Sequence, residues 1–149
     1  MSLPKGKVLK SVKIIQPVLE ADCFINVPVA KVHSSAILTM GLKNLMGIVE
    51  DRDYWHTAGL HQCIADMITG FRPHLTVIDA TRILLTNGPK GPGEVRNVGQ
   101  VIASADPLAA DAYGATLFGK RPGEIPYLVS ARAQTSGEIE LGKIEITKV

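Results

Sequence analysis

The stretch Pro28–Val49, PVAKVHSSAILTMGLKNLMGIV, decides how the chain is organised. A short apolar run, Cys23-Phe24-Ile25-Asn26-Val27, precedes it and reads as a strand. Pro28 cannot donate to a central ladder, so that strand is expected to end there. Ser34 or Ser35 suits a helix N-cap, because a serine oxygen accepts a hydrogen bond from an orphan amide of the first turn. Leu38, Leu42, Leu45 and Val49 then recur at i, i+4, i+7 and i+11, which is the buried stripe of a helix. A long helix from the serines to Val49 is the expectation. Ala36, Met40, Lys43 and Gly47 form the neighbouring stripe, so Lys43 sits among apolar and small residues. Two readings are open for it. Its ammonium can extend to water over its neighbours. Alternatively it meets a carboxylate, Asp79 or Asp111, since an unpaired buried ammonium is costly.

Lys31 and His33 fall on the expected connection from strand to helix. In open α/β sheets, ligands bind in the crevice outside the carboxyl ends of the strands. A helix starting there aims its amides and the positive end of its dipole at the crevice. The local field is expected to favour an anionic group.

The 149 residues suit one domain with its own core. Apolar residues make up 46% and charged residues 20%, the balance of a globular chain. A net charge of +2 without a basic cluster argues against nucleic acid as partner. No apolar run reaches the roughly 20 residues that span a bilayer, so no membrane partner is expected. Cys23 and Cys63 stand alone, without a CxxC pair. The chain by itself therefore cannot hold a four-cysteine cluster or zinc site, and a reducing cytoplasm with both thiols buried is the expected setting.

Along the chain, Val8–Ile15 alternates with lysines and reads as a strand near a sheet edge. Its abrupt start suggests a piece of a longer protein. Pro17–Asp22 reads as one helical turn, and Glu50–Thr57 as a polar loop. Leu60, Ile64, Met67 or Ile68, and Phe71 give the next helix, ended by Gly70 and Pro73. Leu75–Ile78 reads as a fully buried strand delivering Asp79 to its carboxyl end, where the carboxylate serves a site or caps the turn at Ala80-Thr81. Ile83–Thr86 is a further short strand. Asn87–Glu94, NGPKGPGE, is irregular, either a surface loop or a lid. Val98–Ala103 is a strand with apolar residues on both sides. Asp106-Pro107 opens a helix, aspartate as N-cap and proline at the first position. Asp111 lies on that helix beside small residues and needs a partner, for which Lys31, Lys43 or a metal would serve. Pro122–Ser136 holds a last helix, and Ile139–Ile146 a last strand.

KVHSSAILTMGLKNLMG, LTVIDA, the NGPKGPGE loop and ASADPLAADAYGATLFG occur in this order. Together they resemble the proteins grouped as domain of unknown function 362. The pattern is a Lys-x-His, a Leu-Lys-Asn-Leu-x-Gly, an aspartate after a buried strand, a Gly-Pro loop and an Asp-Pro-x-Ala-x-Asp. Here these are Lys31 and His33, Lys43 with Asn44 and Gly47, Asp79, Gly88 to Gly93, and Asp106 with Asp111. Such proteins are often associated with iron–sulfur clusters through a separate cysteine-rich segment. This chain lacks those cysteines, so cluster binding does not carry over.

These readings give an α/β domain over residues 1–149, a layered fold with a central, largely parallel or mixed sheet and helices on both faces. The expected function is binding of a small anionic ligand. His33 and Lys43 are the candidate catalytic residues, His33 through a pKa near neutrality. Lys31, Asn44, Asp79, Gly91, Asp106 and Asp111 are the candidate ligand-binding residues. The alternative is a non-catalytic scaffold that docks a redox partner domain or a second copy. A metal site from His33, His56, His61 and an aspartate is a weaker idea, since no HxxxH spacing exists.

Overall fold

The central element of the computed structural model, which describes residues 1–149, is the strand begun by Leu75–Ile78. In chain order the elements are α1 (Gln16–Glu20), β1 (Ile25–Asn26), β2 (Val29–His33), β3 (Ile37–Thr39), α2 (Gly41–Asn44), α3 (Asp53–Ala58) and α4 (Leu60–Met67). Then follow β4 (Leu75–Leu84), β5 (Val95–Ser104), α5 (Pro107–Thr116) and α6 (Pro126–Arg132), with 3₁₀ turns at Leu45–Ile48, Pro122–Glu124 and Leu141–Lys143.

The five strands form one mixed sheet against which helices pack. One edge of β4 is lined by β5, antiparallel from Thr76–Ser104 to Leu84–Val95. The other edge takes β1 and then β2, both parallel, pairing Ile25 with Leu75, Val29 with Asp79 and Lys31 with Leu84. Pro28 therefore interrupts the strand without ending it. Its missing N–H splits the ladder, but its carbonyl accepts from Asp79 N at 2.8 Å and keeps the chain alongside β4. Since β4 is a ten-residue strand, Ile83–Thr86 is no separate strand: Ile83 and Leu84 belong to β4.

The long helix expected after the serines is replaced by a hairpin. β3 folds back antiparallel on β2, pairing Lys31 with Thr39 and His33 with Ile37. The reason lies in the turn. The amides of Ser35 and Ala36, which would have opened the helix, donate to the His33 ring nitrogen Nδ1 at 3.1 and 3.2 Å. Ile37 takes a positive φ of 68° to complete the reversal. Leu38, Leu42, Leu45 and Val49 are all buried, as the stripe required, but by a strand, a helical turn and a 3₁₀ turn in succession.

Four further expectations change. Val8–Ile15 is not a strand; it makes single bridges, Ser2 with Ser11 and Ile14 with Val49, and is tied down by Asp66, which accepts from Val8 N and Leu9 N. Glu50–Thr57 contains α3 in place of a loop. Val98–Ala103 lies in β5, paired only with β4, and Val101 is 61% exposed, so it is an edge strand and not a central one. Nor does Ile139–Ile146 form a strand.

α5 forms as its sequence indicates. Asp106 Oδ1 accepts from Leu108 N at 3.0 Å and Pro107 fills the first position. Its small residues bring it close to α2. A Cβ on Gly114 would lie 2.6 Å from the Met40 sulfur, and one on Gly41 would lie 2.8 Å from both Asp111 Oδ1 and Thr76 Cγ2.

Candidate functional site

Lys31 and His33 lie at the carboxyl end of β2, with Lys31 beside Leu84 of β4. Lys43 is near enough for its charge to act on His33, on an α2 packed against Asn26 of β1 and Thr76 at the start of β4. Lys31 and His33 lie on β2 itself and not on a connection. β3 leads directly into α2, which carries Lys43 back beside them. Arg52 caps the start of α3, and His56 follows it by one helical turn. Burial and the positive charges of Lys31 and Arg52 lower the Lys43 pKa. Burial, then Lys43, His56 and Lys31, bring the His33 pKa down from 6.5 to about 4. None of the five side chains makes a salt bridge; the ion pairs of the molecule are Arg72–Asp106, Arg121–Glu124, Arg132 with Glu138 and Glu140, and Lys143–Glu140.

His33 has one role fixed by geometry. Two backbone amides donate to Nδ1, which assigns the ring proton to Nε2. The ring is a neutral donor at physiological pH, and its lowered pKa removes the basis for expecting a base poised near neutrality.

The expected partners of Lys43 are elsewhere. Asp111 is fully buried under the start of α2 and accepts from Gly41 N at 2.6 Å and Leu42 N at 3.1 Å. Two backbone amides thus supply what a lysine or metal was expected to supply. Burial still pushes its pKa up to about 7 against those bonds. The Tyr127 hydroxyl, also buried, lies beside Asp111 and is coupled to it electrostatically, but does not reach hydrogen-bond geometry with any group. Asp79 accepts from Thr81 N and Thr81 Oγ at 2.9 and 2.7 Å, capping the irregularity in β4 between Ala80 and Arg82. Lys43 is half-buried with no acid in reach, so neither the salt-bridge expectation nor full extension into solvent describes it.

The other candidates hold the frame. Asn44 donates to Asn26 Oδ1 at 2.8 Å, and Asn26, 2% exposed, donates to Gly41 O at 2.8 Å. The pair ties α2 to β1. Asp106 caps α5, accepts from Glu138 N at 2.8 Å and pairs with Arg72, so its oxygens are committed to the frame. Gly91 donates to Asn87 O at 2.9 Å within its own loop. That loop does flank the site. Gly88 O accepts from Ser34 N at 3.3 Å, and a Cβ on Gly88 would fall 1.9 Å from Val32 O, so glycine is required there. The histidines do not gather, and no three His, Cys, Asp or Glu side chains are placed to hold a metal. His61 stacks on Tyr127 with centroids 6.1 Å apart.

Arg52 is absent from the sequence-based candidates, and His56 enters there only as a metal ligand, whereas here both act electrostatically on the Lys43 and His33 group. Their i, i+4 spacing was available, but the polar run around them reads as a loop. The main surface grooves lie elsewhere, one between β5, Tyr113 and Ile144–Val149, the other beside α6. They hold no comparable cluster of cations and imidazoles.

The fold is thus a mixed α/β domain in which Lys31, Lys43 and Arg52 have no ion-pair partner. The chain belongs to the domain of unknown function 362 family (DUF362), whose model matches residues 1–116. It is similar to the thylakoid-associated protein sll1697 of Synechocystis sp., with 29% identity over 126 residues, 79% of this chain and 39% of that protein. The chain thus spans well under half of that relative's length. No solved structure matches it. No helix is long and apolar enough to cross a membrane.

Proposed function

We propose that this chain is a ligand-binding domain whose site is the cationic cluster of Lys31, His33, Lys43, Arg52 and His56, and that it binds a small anionic ligand. The observation that carries this reading is the half-buried Lys43, which faces two other cations and no acid. Like charges around the half-buried Lys43 raise the free energy of the empty site, and an anion relieves both their repulsion and the desolvation of Lys43. Lys31 and His33, at the carboxyl end of β2, agree with the general preference for ligands outside strand carboxyl ends. His33 acts as a hydrogen-bond donor through Nε2 in this reading. Lys43, with its lowered pKa, is the group suited to proton transfer if the bound ligand reacts.

Lys43→Met tests it. The substitution keeps the stem and removes the charge. The expected outcome is an unchanged or slightly higher melting temperature without ligand, together with loss of the stabilisation that small anions give in a thermal-shift screen. A loss of about 3–5 kcal/mol would instead mark a broken buried ion pair and contradict the proposal.

A further inference from the structure

We infer that the ligand's recognised group is a phosphomonoester, a tetrahedral dianion, in preference to a carboxylate. This rests on the reading of the cluster as an anion site and deepens it. The first argument is charge. Lys31, Lys43 and Arg52 are three basic groups with no ion-pair partner, although Glu50, Asp51 and Asp53 flank Arg52 in sequence. A monocarboxylate leaves most of that charge uncompensated, whereas a phosphomonoester brings close to two negative charges.

The second argument is the arrangement of the donors. They arrive from separate elements: Lys31 and His33 from β2, Lys43 from α2, Arg52 and His56 from α3. Basic groups carried on three separate elements, close enough for Lys31, Lys43 and His56 to act on His33 and for Arg52 to act on Lys43, suit three tetrahedral oxygens better than the single plane of a carboxylate. The third is the neutral state of His33. With Nδ1 occupied by two amides, Nε2–H remains as a fixed donor that does not titrate away above neutrality.

Calorimetric titration of the full chain with sodium phosphate and with sodium acetate, at matched low ionic strength and at a mildly alkaline pH where inorganic phosphate is mostly a dianion, tests the inference. Phosphate is expected to bind at least about tenfold more tightly than acetate, the extra charge meeting cations at close range. Lys43→Met should lose at least about tenfold of the phosphate affinity. Arg52→Gln, at an exposed position, should weaken it in the same direction and keeps the test decisive if the first variant misfolds. Equal affinity for the two anions, both lowered by Arg52→Gln, would overturn the phosphate inference and leave the anion site standing. Binding of neither would overturn both. Co-sedimentation with phosphatidylcholine vesicles carrying phosphatidate, displaced by free phosphate, would place the same phosphomonoester chemistry in a lipid headgroup and support the inference.

Discussion

Asp111 shows how one side chain can serve the site without facing it. Its two oxygens hold the Gly41 and Leu42 amides, the first free donors of α2, and so fix the helical turn that carries Lys43. The carboxyl is fully buried, and burial moves its pKa from 3.8 to about 7. The folded-state pKa lies above the unfolded one. The protonated form therefore contributes stability that is complete below about 3.8 and is lost as the pH rises toward about 7. Asp111→Asn keeps the shape and deletes this dependence. The expected cost is about 1–3 kcal/mol in acid, from one amide left without a good acceptor, and it should shrink as the pH rises to neutrality. Urea unfolding of both proteins across that range checks it, with effects of other carboxylates such as Asp66 cancelling in the difference. A cost that grows with pH would show that the fold prefers the carboxylate.

At the scale of elements, the region from β2 to α2 decides the site. Gly41 sits where Asp111, Thr76 and the start of α2 meet, so Gly41→Ala forces a Cβ to within 2.8 Å of two side chains. Overpacking of this kind costs about 1–3 kcal/mol and would shift Lys43 with the turn. Gly47→Ala, in the adjoining 3₁₀ turn with nothing within 4 Å of the added carbon, should stay within about 0.5 kcal/mol of the parent. Chemical denaturation of the two variants gives the comparison, and equal costs would refute the packing described. The same region shows what the sequence made legible. Asp106-Pro107 fixed the start of α5, and the apolar run at Leu75 fixed β4, because cap chemistry and short-range patterning are local. The hairpin was not legible. Leu38, Leu42, Leu45 and Val49 are buried in either conformation, so their spacing could not separate helix from hairpin. The deciding bonds run from the turn amides to a histidine side chain, which no local propensity contains.

For the whole molecule, the candidate site was half legible. Lys31, His33 and Lys43 were visible as cations near one sheet end, and the structure brings them together. Arg52 was hidden by reading α3 as a loop, His56 was visible only as a possible metal ligand, and Asp79, Asp106 and Asp111 hold bulge, cap and helix start. A carboxylate's role depends on which amides lie within reach, and long-range packing sets that. The resulting balance, basic groups around Lys43 without ion-pair partners and Asp79 and Asp111 committed to backbone amides, is the central claim. The imidazole of His33 reports on it from inside the cluster. Following its ring proton by NMR through a pH titration should give a pKa of about 4 in the free protein, moving upward when phosphate is added and cancels the field of Lys31, Lys43 and His56. A His33 pKa near its ordinary 6.5 that does not respond to phosphate would contradict the account.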